Sequence, residues 1–560
     1  MRRSALALLP LVALAAHAVT QIAPPAPENG LPPRAGQTLT MRPGLYQDGQ
    51  ITGSYWLRNT RRIADAATRH YTPSQQDIDN ALTYIEEVRG HDGHIRTFKS
   101  KALIVQSASA PAPRPFVRNQ PAHGTAHLAP LPTIGRAPSA TPIATNAKPR
   151  PAARHRLDEN DICHTISQQH PRIPGGARLD PLPDTPRPPL RQAIATPHYH
   201  SCLVRVSDSE SDGIPLRNTY SRRQAFNADN SRFLLFARNG HWHLFDAKTA
   251  QPVKTLPHIA GDAEPQWHTS NPNLLYYLPV NGVGMTLHEL NTDNGTTRTI
   301  ADFNTRLKAH WPAAHNAWTR WEGSPSADNR YWCFMVENQQ FQTLGIFTWD
   351  MQQDRILALR DLGGEDPDHV SMSPSGDYCI VSGQTTRAYP RNLQGDPIPL
   401  HHTSEHSDLA LDAHGDDIYV SVDYQSHKGD VFMTHLKSGK KTPLFQLYDN
   451  GSSTALHFSG KNYDKPGWIL ISTYAETPDR NGKRQWTHRK IFAVSLEPSP
   501  RIRNISYAHS TGGQGWHYWA EPQATVSRDF SRILFNSDWG SGKESDLAAY
   551  MLVLPSRGLR

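Results

Sequence analysis

No apolar run in this 560-residue chain reaches the ~20 residues a helix needs to cross a bilayer; the only one of note, residues 5–18, is too short. Mean hydropathy is −0.60, which excludes a bundle of membrane helices. Cysteine is scarce as well. Four in 560 residues are too few to staple a disulfide-built scaffold. Charge is thin: 19% of residues, with 58 Lys+Arg against 51 Asp+Glu and a formal +7. That balance gives a mildly basic surface without the dense basic patch of a nucleic-acid binder. Two catalytic signatures are also missing. There is no Gly-x-Ser-x-Gly elbow for a serine hydrolase, and Gly540-Ser541-Gly542-Lys543 lacks the upstream glycine of a phosphate-binding loop.

What is present divides the chain. Arg2-Arg3, the apolar stretch and Ala16-His17-Ala18 have the layout of a cleavable export signal, so residues 1–18 are predicted to be a signal peptide and the protein to be secreted or periplasmic. Residues 19–200 hold 25 of the 46 Pro and one of the 13 Trp, so the core lies further on. Residues 19–106 form an N-terminal region with a small ordered patch. Within it Asp77–Val88 carries Ile78, Leu82 and Ile85 at helical spacing, and 95–105 reads as strand. Residues 107–198 form a Pro/Ala-rich linker and arm, largely disordered because it cannot bury enough apolar surface to offset chain entropy. Cys163 and Cys202 flank the join to the main domain and are placed to bridge. Cys333 and Cys379 lie in apolar runs and are expected as buried thiols.

From residue 199 to 557 one phrase recurs: an apolar residue, small polar residues with Asp, Asn or Gly, then three or four strand formers. It begins at Phe226, Trp267, Ser324, Met372, Leu411, Phe458 and Val526. Each phrase reads as strand, tight turn, strand, and several are followed by a third strand and a further turn. Four short strands per ~50 residues make one propeller blade. The predicted fold is therefore all-β, a seven-bladed β-propeller of four-stranded blades, with the strand near Cys202 and the one near residues 547–554 sharing the closing blade.

Strand residues two apart share a face, so equivalent positions should form rings around the axis. The ring three residues before each phrase reads Arg223, Glu264, Trp321, His369, Asp408, Ala455 and Gln523. A packing ring repeats one residue type; this one mixes cation, carboxylate, imidazole, indole and amide, which suits a ligand. Loops entering the same strands add Tyr220, Arg222, Gln224, His406, His517 and Tyr518, and His457 precedes its phrase directly. Abstracting the proton beside a uronate carboxylate needs that carboxylate neutralised, a base, and an acid for the leaving oxygen. Arg matches a carboxylate best, and His or Tyr serve the proton transfers. The expected substrate-binding residues are Tyr220, Arg222, Arg223, Gln224, Glu264, Trp321, Asp408 and Gln523. The expected catalytic residues are His369, His406, His457, His517 and Tyr518.

The Tyr-Ser-Arg-Arg-Gln-Ala-Phe run at 220–226 and the closing Trp-Ala-Glu-Pro-Gln-Ala-Thr-Val-Ser-Arg-Asp at 519–529 resemble TolB-type propellers. Among these the chain is similar to bacterial propeller polysaccharide lyases of the oligogalacturonate, ulvan and rhamnose-glucuronate lyase type. The resemblance implies a lyase acting on an acidic polysaccharide or oligosaccharide, with Arg223, His406, His457 and Tyr518 carried over and at most a divalent ion (Mn, Zn or Ca) as cofactor. The alternative is a non-catalytic propeller that binds a glycan or an envelope protein. In either reading a monomer without a membrane span is expected.

Overall fold

The computed structural model describes residues 20–105 and 157–559, apart from short internal stretches among them 512–517. The expected signal peptide, most of the linker and His517 lie outside the described residues. The chain divides into two units, residues 1–143 and 144–560.

In the first unit Gly49–Arg58 and Ala81–Gly90 pair antiparallel, and Ile95–Lys99 lies against the latter. Where a helix is expected over 77–88, the structure has the strand Ala81–Gly90 instead. Trp56, Leu82 and Tyr84 close a small core on one face, and the long pairing outweighs a helical spacing carried by only three residues. Helical structure next to this strand is confined to one turn at Gln75–Asp77, where Asp77 accepts from the Ser74 amide at 2.7 Å and the Ser74 hydroxyl at 2.8 Å.

The second unit consists of antiparallel sheets in succession. The first contains Leu216–Arg217, Arg232–Ala237, Trp242–Asp246 and Pro252–Leu256. Five further four-stranded sheets start at Gln266–Trp267, Asn316–Trp318, His369–Met372, Ser407–Leu411 and Ser453–Ser459. In the last, Thr525–Val526, Arg532–Ser537 and Ala548–Val553 are joined by Cys202–Arg205, with Cys202 opposite Val553, and by Ala193–Ala195. Such a series of four-stranded meanders is the sheet pattern of a β-propeller.

The core is interstitial. Leu234 and Leu244 meet Leu275 and Leu290 between the first and second sheets, and Tyr276 and Leu287 meet Phe334 and Trp349 between the second and third. The succession continues until Leu534, Met551 and Val553 of the last sheet pack on Phe226, Phe233 and Phe245 of the first. Sheets covered on both faces have uniformly buried strands such as Ala548–Val553 rather than alternating ones.

The recurring phrase folds as one turn. In five phrases the amides of Asn230, Asn329, Gly376, Gly415 and Phe530 each donate to the carbonyl three residues earlier. All five residues have positive φ, between 57° and 87°, a conformation that Gly and Asn adopt most readily. Cys163 bridges Cys202 as expected. Cys333 and Cys379, expected as free thiols, are bonded to each other and tie the third sheet to the fourth. Their apolar surroundings are the packed gap between two sheets, and that gap brings them together.

Candidate functional site

The inner strand of the first sheet breaks after Arg217 and resumes at Phe226, which bridges Phe233. The loop between carries Tyr220, Arg222, Arg223 and Gln224. Arg222 uses all five of its N–H groups. Nε donates to the Ser407 carbonyl, Nη1 to Glu322 Oε2 and, at 2.7 Å, to His369 Nε2, and Nη2 to the Glu405 carbonyl and Ser407 Oγ. One buried guanidinium thus holds the first, third, fourth and fifth sheets together.

Arg223 and Glu264, also buried, act on one stretch of backbone. Glu264 accepts from the amide and hydroxyl of Thr319 and the amide of Trp321. Arg223 Nη2 donates to the Trp321 carbonyl at 2.7 Å. Burial raises the Glu264 carboxyl above its usual range and lowers the Arg223 guanidinium to about 10. Asp408 is occupied by the Gly460 amide at 2.7 Å and Lys461 Nζ at 2.8 Å. Gln224 bonds the Phe226 amide and the Lys461 carbonyl. Gln523 donates to the Tyr518 carbonyl at 3.4 Å, and its own carbonyl takes the Asn218 amide group. Six expected ligand-binding groups are therefore engaged with the protein itself: Arg222, Arg223, Gln224, Glu264, Asp408 and Gln523.

The proton-handling groups do converge. His406, just ahead of the fifth sheet, has a phenol on each ring nitrogen: Tyr220 at 3.2 Å from Nδ1 and Tyr474 at 3.0 Å from Nε2. His457 lies edge-on to His406 with centroids 4.6 Å apart and stacks on Tyr474 at 4.7 Å. Its Nε2 is 3.3 Å from Glu521 Oε2. Burial, reinforced by Arg222, lowers His406 to about 4, and burial with His406 and Arg222 nearby holds His457 well below its usual value. Burial raises Glu521 to about 8. Near neutral pH the centre therefore holds two uncharged imidazoles and a protonated carboxyl. A neutral imidazole has one N–H and one lone pair. One phenol donates to His406 while the other accepts from it, and the three side chains form a continuous proton path.

Trp321 and Tyr518 are exposed, at 48% and 41%. Glu322 and Glu521 act electrostatically on the Tyr518 hydroxyl. His369 belongs to the Arg222 contact, 3.6 Å from Asp368, and that contact holds the Asp368 carboxyl well below the usual range. Tyr474, Glu521 and Glu322 are the participants that sequence reasoning missed. Tyr474 lies on a second strand, Trp468–Thr477, whose ten residues reach the site. Glu322 and Glu521 stood next to Trp321 and inside the closing run.

Glu322, Asp368 and His369 have ligand atoms within 4.8 Å of one another, close enough for a metal ion. They do not fit one as arranged, because the Arg222 guanidinium already occupies Glu322 Oε2 and His369 Nε2. His401, His402 and Asp423 are similarly close. There the two rings stack at 4.4 Å and His401 Nδ1 takes the Thr403 amide, so its lone pair is used.

No family model and no curated protein matches the chain. Among solved structures it is similar to an oligogalacturonate lyase from Vibrio parahaemolyticus, with 11% identity, TM-score 0.44, and coverage of 65% of this chain and 96% of that one. An oligogalacturonate lyase in complex with manganese gives 11% identity, TM-score 0.45 and the same coverage. The WD40 domain of Neurospora crassa Pan2 gives 10% identity and TM-score 0.37, with coverage of 63% and 94%.

Proposed function

We propose that the seven sheets are the blades of one exported propeller, and that its mouth cleaves a uronate-containing glycan by β-elimination. The observation that carries this reading is His406, uncharged and hydrogen-bonded through both nitrogens to phenols. In β-elimination the uronate loses its C5 proton, the C4 oxygen departs with the bond electrons, and that oxygen gains a proton. His406 accepts a proton through one phenol and returns one through the other, while Arg222 holds the surrounding main chain in place. The two disulfides suit an oxidising compartment, and among the described residues no helix is long and apolar enough to cross a membrane.

A second reading, glycan binding without turnover, is favoured by one observation: Arg222 keeps no N–H free to clamp a substrate carboxylate. Incubation with pectate, alginate, ulvan and glucuronan, followed by ultraviolet absorbance of the conjugated unsaturated product, separates the two. The lyase reading expects product with at least one polymer, and a loss of about 10²–10⁴ in rate on His406→Gln, the range general acid–base groups contribute. No product from any polymer, with binding retained, would leave the second reading standing.

A further inference from the structure

Trp321 sits on a backbone held in an unusual conformation by buried charge. Its φ is +81°, and Arg320 beside it is at +62°, a region that bulky side chains seldom enter. Glu264, 3% exposed, takes the Thr319 and Trp321 amides, and Arg223, 8% exposed, takes the Trp321 carbonyl. Two buried ionisable groups therefore fix three residues whose outcome is an indole turned to solvent. Strain that persists under such tight control clusters at functional sites.

The neighbours define what the indole receives. Glu322 follows it, aligned by Arg222, with its side chain 27% exposed. Arg320 is turned to Asp366 at 2.7 Å and to the Pro367 carbonyl, Arg222 to Glu322 and Arg223 to the Trp321 carbonyl, so the cations around the indole are engaged within the protein. Asp368 is also ionised here. The guanidiniums beside Trp321 are thus paired within the protein rather than offered to an anionic ring, whereas the part-exposed Glu322 carboxylate accepts sugar hydroxyls well.

We propose that Trp321 and Glu322 form a subsite for an uncharged pyranose, its C–H face on the indole and a hydroxyl pair on the carboxylate. The subsite extends the glycan reading above by assigning a neutral sugar beside the reacting one, and its test needs no turnover.

Intrinsic fluorescence titration of the full chain with neutral galacto-, xylo-, manno- and rhamno-oligosaccharides, and with oligogalacturonate, measures it. At least one neutral oligosaccharide is expected to bind. Trp321→Ala should weaken that binding about tenfold, with Trp321→Phe recovering most of it. Glu322→Gln should weaken the neutral ligand while improving oligogalacturonate. Circular dichroism should be unchanged in Trp321→Ala, since the indole is exposed. Unaltered affinities in Trp321→Ala, binding of oligogalacturonate alone, or no binding by any sugar overturns the subsite. Product formation from a uronate polymer alongside any of those results would leave the lyase reading intact.

Discussion

Glu521 keeps a proton that a carboxyl group ordinarily releases near pH 4.5, because its site is buried. Its folded value, about 8, lies above the unfolded one, so between the two the folded protein binds more protons and stability falls as pH rises through that window. His406 and His457 act in the opposite sense. Their folded values are depressed, so stability falls as pH drops from about 6.5 toward their folded values. The expected outcome is that Glu521→Gln flattens the decline of Tm between about pH 5 and pH 8 and leaves the acid limb unchanged. A native Tm that does not decline over that range would place Glu521 in water rather than in the core. At this scale the sequence revealed the groups that stand at the start of each phrase, where seven aligned copies expose an odd member. Tyr474 and Glu521 escaped because a second strand and an entry loop share no common register. Arg222 was visible, but its job was not: a guanidinium saturated by neighbours reads in sequence like one waiting for a ligand.

The repeated turn made the sheets legible, since each blade must reverse its chain in the same small space and only a few residue types do so cheaply. Gly415 tests this directly. Its φ is +87° and a Cβ there would meet nothing within 4 Å, so Gly415→Ala isolates the conformational term. Chemical denaturation should show a loss of about 1–2 kcal/mol; an unchanged midpoint would mean that the turn can relax to another form. Phe530 occupies the equivalent position at φ +60° and is 2% exposed, so packing overrides conformational preference there. The same competition explains the misread segment at 77–88. Three apolar residues at helical spacing were outweighed by a ten-residue strand partner with Tyr55 facing Ile85, a partner local periodicity cannot anticipate.

Across the second unit, the apolar faces of the described sheets are covered chiefly by neighbouring sheets, so the second unit should unfold in one transition. Cys163–Cys202 acts where the succession closes, fixing the segment around the buried Asp161–Arg532 pair to the closing strand. Replacing both cysteines with Ala should cost about 4 kcal/mol, the chain-entropy value for a 39-residue separation, read as a lower denaturation midpoint without loss of the single transition. A second, earlier transition would instead show that the closing sheet opens independently. The pairing of Cys202–Arg205 with Ala548–Val553 also sets a timetable for biosynthesis. A chain synthesised as far as the sixth sheet has two bare sheet faces, and Cys202–Arg205, paired along one edge with Ala193–Ala195, must wait for Ala548–Val553 along the other. Truncation or proteolysis near residue 540 is therefore expected to abolish folding of the entire second unit rather than trim its edge.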